Sequence, residues 1–209
     1  MIIAAKAAAA TSVGLPYRWI AVGGAGELST SESTTASSWT NRTSSFGTTA
    51  INALGTDKLN YFVAVGSSGK LATSPDGITW TQRTSGFGTA TIWCVGYGNG
   101  YWIAGGALFG VSNSITYATD PTGTWTAKDI GLGAGDIVRA VAYGNGIWCA
   151  LGSNGSIRTA TNPSGTWTLR TSTLAKGGPN PESLIWCPSQ NLFVAGLDSG
   201  GLPTDVLAT

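Results

Sequence analysis

The sequence predicts an all-β fold made of five repeats of one four-stranded unit, and three recurrences predict it. An aromatic-x-Ala motif returns five times, at Trp19, Phe62, Trp102, Trp148 and Phe193, with spacings of 43, 40, 46 and 45 residues. A Trp-Thr pair behind a short turn returns four times, at Trp39, Trp80, Trp125 and Trp167. The third recurrence is "YGNG", at Tyr97–Gly100 and Tyr143–Gly146, each between apolar runs.

Each unit reads in order. The first strand is the apolar run upstream of the aromatic: "TAINAL", "TIWCVGY", "IVRAVAY" and "SLIWC". Asn-Gly then closes a hairpin, because both turn residues must take positive φ. The second strand carries the aromatic-x-Ala motif. A third opens nine residues after the aromatic, at Leu28, Leu71, Ile157 and Leu202, with "ITYAT" from Ile115 as the equivalent in the longer third repeat. The turns "SPDGIT", "TDPTGT" and "TNPSGT" precede the fourth strand, with Pro and Gly setting the backbone and Asp or Asn bonding it locally. The first repeat has the looser "SESTTASS" there.

Four short antiparallel strands in about 42 residues are the signature of a propeller blade. The expectation is a five-bladed β-propeller forming one domain over 1–209. Its repeats run approximately over 7–44, 45–85, 86–129, 130–172 and 173–209. The last blade is expected to be incomplete, since a fifth Trp-Thr would fall near position 210. Met1–Lys6 is the candidate segment to complete it.

The repeated aromatics, Trp19, Trp39, Phe62, Trp80, Trp102, Trp125, Trp148, Trp167 and Phe193, are expected between blades. A ring there hides about 150–250 Å², and the Ala two residues on leaves room for the next sheet. The basic residues three positions after each Trp, Arg42, Arg83, Lys128 and Arg170, recur once per blade. They are spread around a rim and cannot converge on one ligand, so they read as solvated edge residues that discourage strand pairing.

Charge excludes much. With 11 basic and 10 acidic residues and a formal net charge of +1, no basic field exists for nucleic acid. No apolar run of about 18 residues marks a membrane helix. There is no histidine, and Cys94, Cys149 and Cys187 lack metal-ligand spacing; they read as buried free thiols. No cofactor or metal is expected, and without a nucleophile elbow, phosphate loop or paired carboxylates no reaction is expected either.

Two resemblances bear on function. Ser74, Asp76, Thr79 and Trp80 resemble the Asp-box hairpin of sialidases and other propellers, one residue short, which implies a structural role for Asp76. The stretch "AYGNGIWCALGSNGSIRTATNPSGTWTLRTS" resembles repeats of bacteriophage virion proteins, over roughly 17–205. That resemblance implies an exposed propeller on tail, fibre or capsid, with other virion proteins or a host-surface glycan as partner. The runner-up is a secreted lectin-like propeller similar to the tachylectin-2 type. Tyr97, Asn99, Tyr143 and Asn145 are the repeated polar and aromatic set that could hold a sugar.

Overall fold

A computed structural model describes residues 3–6, 19–33, 35–109, 113–133, 135–171, 181–197 and 207–208. They form five antiparallel sheets in chain order. The first holds β1 (Ile3–Lys6), β2 (Trp19–Val22), β3 (Leu28–Ser31) and β4 (Thr40–Asn41). The second holds β5 (Ile51–Thr56), β6 (Phe62–Gly66), β7 (Lys70–Ser74) and β8 (Thr81–Thr84). The third holds β9 (Ile92–Gly98), β10 (Tyr101–Phe109), β11 (Asn113–Ala118) and β12 (Thr126–Lys128). The fourth holds β13 (Val138–Gly144), β14 (Ile147–Gly152), β15 (Ile157–Ala160) and β16 (Thr168–Arg170). The fifth has β17 (Pro181–Cys187), β18 (Leu192–Leu197) and β19 (Leu207–Ala208).

Within each sheet the strands lie in sequence order. The first strands pack on one another in succession, β1 on β5, β5 on β9, β9 on β13 and β13 on β17, and so make an inner wall. The fourth strands β4, β8 and β16 are largely exposed and make the outer edge. Among the described residues the sheets do not close into a ring.

The aromatic-x-Ala motif explains the stacking, because successive strand residues point to opposite faces. The aromatic and the Ala face the preceding sheet, while the residue between them faces the next. Trp102 and Ala104 of the third sheet therefore share a core with Val63, Val65 and Leu71 of the second. Trp148 and Ala150 share one with Ile103 and Ile115. Phe62 and Ala64 meet Ile20, Val22 and Leu28, and Phe193 meets Cys149, Leu151 and Ile157. Burying one such ring contributes roughly 1.5–3 kcal/mol or more, so four copies of this contact hold the sheets together.

The turns before the fourth strand close on their own tryptophans. Asp76 Oδ1 accepts the backbone N–H groups of Ile78 and Thr79, both at 2.8 Å, and the Trp80 indole N–H donates to the Gly77 carbonyl at 3.2 Å. Trp125 and Trp167 donate in the same way to Pro121 and Pro163, each at 3.1 Å. All three rings are buried. Trp39 departs from the expectation: it is 44% exposed. Its sheet has no preceding sheet to cover it, and its turn lacks the Pro-Gly pair. Trp19, in the same position at the end of the arc, is half-buried.

One expectation about the chain's ends is corrected. Ile3–Lys6 pairs with Trp19–Val22, so this segment is the inner strand of the first sheet and does not complete the last one. The third strand of the fifth sheet is Leu207–Ala208, paired with Phe193 and Leu192. The expected start at Leu202 lies outside the described residues.

The repeated basic residues also do more than solvate an edge. The Nε of Arg42, Arg83 and Arg170 donates to Thr30, Thr73 and Thr159 Oγ1 at 2.9, 3.0 and 2.7 Å, tying the fourth strand to the third. All three cysteines are free, with Cys94 and Cys149 buried and Cys187 half-buried.

Candidate functional site

Residues repeated once per sheet are distributed around the arc. Residues on the inner strands are the ones that can converge. Four inner strands share an irregularity there. The ladder slips by one residue between Ile51 and Ala53, between Ile92 and Cys94, between Val138 and Ala140, and between Pro181 and Ser183. Each slip is a β-bulge that leaves one residue without a partner across the sheet: Asn52, Trp93, Arg139 and Glu182.

Local sequence dictates the bulge. Opposite it the second strand carries a glycine, at Gly66, Gly106 and Gly152 of the second, third and fourth sheets. The next residue donates its backbone N–H back across: Ser67 to Ala50, Ala107 to Thr91 and Ser153 to Ile137, at 3.1, 2.9 and 2.9 Å. A Cβ on Gly66 would overlap the Ala50 carbonyl oxygen, and one on Gly106 the Thr91 oxygen. Only a residue without a side chain lets the strands approach so closely.

Three of the bulged residues make contacts between neighbouring sheets. Asn52 Nδ2 donates to the Ile92 carbonyl of the next sheet at 2.9 Å. The Arg139 guanidinium lies over the Trp93 ring, 4.5 Å from its centroid, a cation–π contact between the third and fourth sheets. Asn52, Trp93 and Arg139 are half-buried and Glu182 is exposed. This repeated position carries four different chemistries: an amide, an indole, a cation and an anion. Arg139 Nε is buried without an acceptor, an arrangement that ordinarily costs about 1–3 kcal/mol.

Beside this row a buried carboxylate fastens the fourth sheet. Asp136 is 1% exposed. Its oxygens accept from the backbone N–H groups of Ile137 and Asn154 and the hydroxyls of Ser153 and Ser156, so four donors stand in for water.

A cleft of about 430 Å³ opens on the first sheet at the same end, where the second strand finishes. Its walls include Ala21, Ser29 and Asn41, which lie opposite one another in the ladder, with Glu27 and Arg42 alongside. In the second sheet the equivalent Ala64 and Ala72 are covered by Ile20, Val22 and Leu28 of the sheet before. The cleft stands where a preceding sheet would be.

The residues singled out from sequence lie at the other end of the inner wall. Tyr97 and Tyr143 pack on Trp102 and Trp148 with ring centroids 5.0 and 5.2 Å apart. Tyr143 also lies against Gly98 of the preceding sheet, where a Cβ would overlap its ring. Asn99 and Asn145 occupy the hairpin tips at φ 49° and 47°, one on each of two sheets. Asp120, in the third repeat's turn, is held below the usual carboxylate range by the Thr122 N–H and hydroxyl, with Arg83 adding a little. The bulge row was missed because nothing in a single strand marks it. The one signal is the glycine four residues after Phe62, Trp102 and Trp148.

No protein-family model matches the chain, and no curated protein matches its sequence. Solved structures do match. YCF48 bound to D1 peptide aligns with a TM-score of 0.60 and 16% identity, covering 95% of this chain and 66% of the other. YCF48 from Cyanidioschyzon merolae aligns with a TM-score of 0.62 and 14% identity, covering 90% and 63%. The chain thus spans a little under two thirds of the length of these neighbours. The neighbours are YCF48 and not virion proteins, so the expectation of a phage virion component, with its lectin-like alternative, is corrected. At such identities the likeness establishes the architecture, and that architecture is the β-propeller.

Proposed function

We propose that this chain is a five-bladed binding module, not an enzyme, and that it holds a segment of a partner protein at the bulged end of its inner wall. The observation that carries this reading is the row Asn52, Trp93, Arg139 and Glu182. It places four unlike side chains at the same bulge position of four successive sheets, with Arg139 lying over Trp93 and Asn52 bonded to the neighbouring strand. Trp and Arg are also among the residue types enriched at protein–protein hot spots. The likeness of the fold to YCF48, one structure of which holds a D1 peptide, supports a protein segment as the ligand. The described aspartates support binding over catalysis: Asp57, Asp76, Asp120 and Asp129 accept backbone N–H groups of their own turns, and Asp136 fastens the Ser153–Ser156 turn.

The test is selection of peptides from a random displayed library on the intact protein, followed by affinity measurement against Trp93→Ala. Selected peptides should lose about tenfold or more in affinity, equivalent to at least about 1.4 kcal/mol, while the melting temperature moves little. A library that yields no binder, or binders indifferent to Trp93→Ala, would remove the proposal.

A further inference from the structure

We infer that the bulge row recognises a carboxylate, with Arg139 as its anchor and Trp93 as the platform that orients the guanidinium. The inference rests on the reading that this end of the inner wall is the binding surface, and adds the chemistry of what binds.

The comparison among arginines carries it. Five arginines lie among the described residues. Arg42, Arg83 and Arg170 donate to threonine hydroxyls, and Arg158 donates to the Gly131 carbonyl. Arg139 alone of the five donates to no protein oxygen, and among the described residues it forms no ion pair. Its guanidinium carbon lies over the Trp93 ring instead, 4.5 Å from the centroid. A cation–π contact uses none of the guanidinium N–H groups on an acceptor, and their planar fork matches the two oxygens of a carboxylate. The neighbouring carboxylates do not fill this role. Asp136 is fully engaged by its four donors, and Glu182 is exposed, with no ion pair among the described residues.

The charge balance selects the anion. The row holds one cation, Arg139, and one anion, Glu182, at the same position of the next sheet, which suits a singly charged planar acid and disfavours a phosphate dianion that needs more positive charge. A carboxylate of this kind comes either from a chain terminus or from an aspartate or glutamate side chain, and Asn52 can supply an amide to the peptide unit beside it.

The experiment follows the Arg139 side-chain Nε resonance by ¹⁵N NMR, assigned by its loss in Arg139→Gln. Three probes are titrated: N-acetylglycine, N-acetylaspartate α-amide, and the neutral N-acetylglycinamide. Saturable shifts with either acid and none with the amide support the inference, and the tighter acid identifies a chain end or a side chain as the source. Equal behaviour of all three probes, or no shift with either acid, overturns it. Glu182→Gln should tighten the acids by about threefold by removing a like charge. Arg139→Lys keeps the charge but not the fork, and should weaken them about tenfold. Library-selected peptides separate the two levels. Loss of binding in Trp93→Ala but not in Arg139→Gln defeats the carboxylate while the binding surface stands; indifference to both removes the surface as well.

Discussion

Burial sets the chemistry of the two inner cysteines. The Cys94 and Cys149 thiols are both pushed up to about 12 by desolvation, well above an ordinary thiol. A proton held more tightly in the folded state than in the unfolded one stabilises below the unfolded pKa. That stabilisation is lost as pH rises through the window up to the folded pKa. Stability should therefore fall between about pH 9 and pH 12, by up to about 1.4 kcal/mol per pH unit for each thiol. Denaturant melts of the wild type and of a Cys94→Ala, Cys149→Ala double variant will show it: the variant should lose less stability over this range. Asp136→Ala leaves four donors without an acceptor in a buried loop. It should cost about 3 kcal/mol and lower the melting temperature by about 6–12 °C. Residue roles were legible in the sequence only where they are local. Asp76 bonds the turn it sits in, and its pattern with Ser74 and Trp80 spans seven residues. Arg139 and Asp136 resemble any strand arginine and loop aspartate until the neighbouring sheet and the Ser153–Ser156 turn are brought against them.

At the scale of strands, alternation did most of the work. Trp102-Ile103-Ala104 reads as a strand with one face for each neighbour, and the structure uses it so. The bulge escaped because it is a relation between two strands, and its extra residue is of a different type each time. Its footprint is the glycine opposite. Gly106→Ala should therefore cost about 1–3 kcal/mol through overlap with the Thr91 carbonyl. Gly133→Ala, where a Cβ meets nothing within 4 Å, should be nearly neutral by comparison in the same denaturant series. The N-terminal strand was misplaced for a related reason. Ile3–Lys6 is short and apolar, and nothing local distinguishes pairing with β2 from pairing with the last sheet. The large buried rings of Phe46 and Phe87 lie outside the repeated motifs that mark the strands. Each ring lies two residues beyond a serine that bonds back to Gly26 or Gly69.

Across the whole molecule one interface is repeated, and its two halves are left over at the ends. The forward-facing Val63, Ile103 and Cys149 are 0%, 0% and 2% exposed, whereas their fifth-sheet equivalent Val194 is 36% exposed and the facing Ile185 60%. At the other end Trp39 and the cleft beside Ala21 lack a covering sheet. The pairing of Ile185 with Val194 predicts an asymmetric tolerance. Ile103→Asp should abolish cooperative folding, since it buries an unpaired charge. Val194→Asp should change stability by no more than about 0.5 kcal/mol, as thermal unfolding of the two variants will tell. The repeats made the architecture legible and misdirected the function. They encode how blades stack, which propellers of many activities share, whereas we propose that the residues differing from blade to blade carry recognition. The most direct measurement of that claim maps backbone amide shifts when a library-selected peptide is added to the ¹⁵N-labelled protein. The account predicts that the largest changes cluster at Asn52, Trp93, Arg139 and Glu182. Shifts centred instead on the Tyr97 and Tyr143 hairpins, or on the outer edge at Arg83 and Arg170, would contradict it.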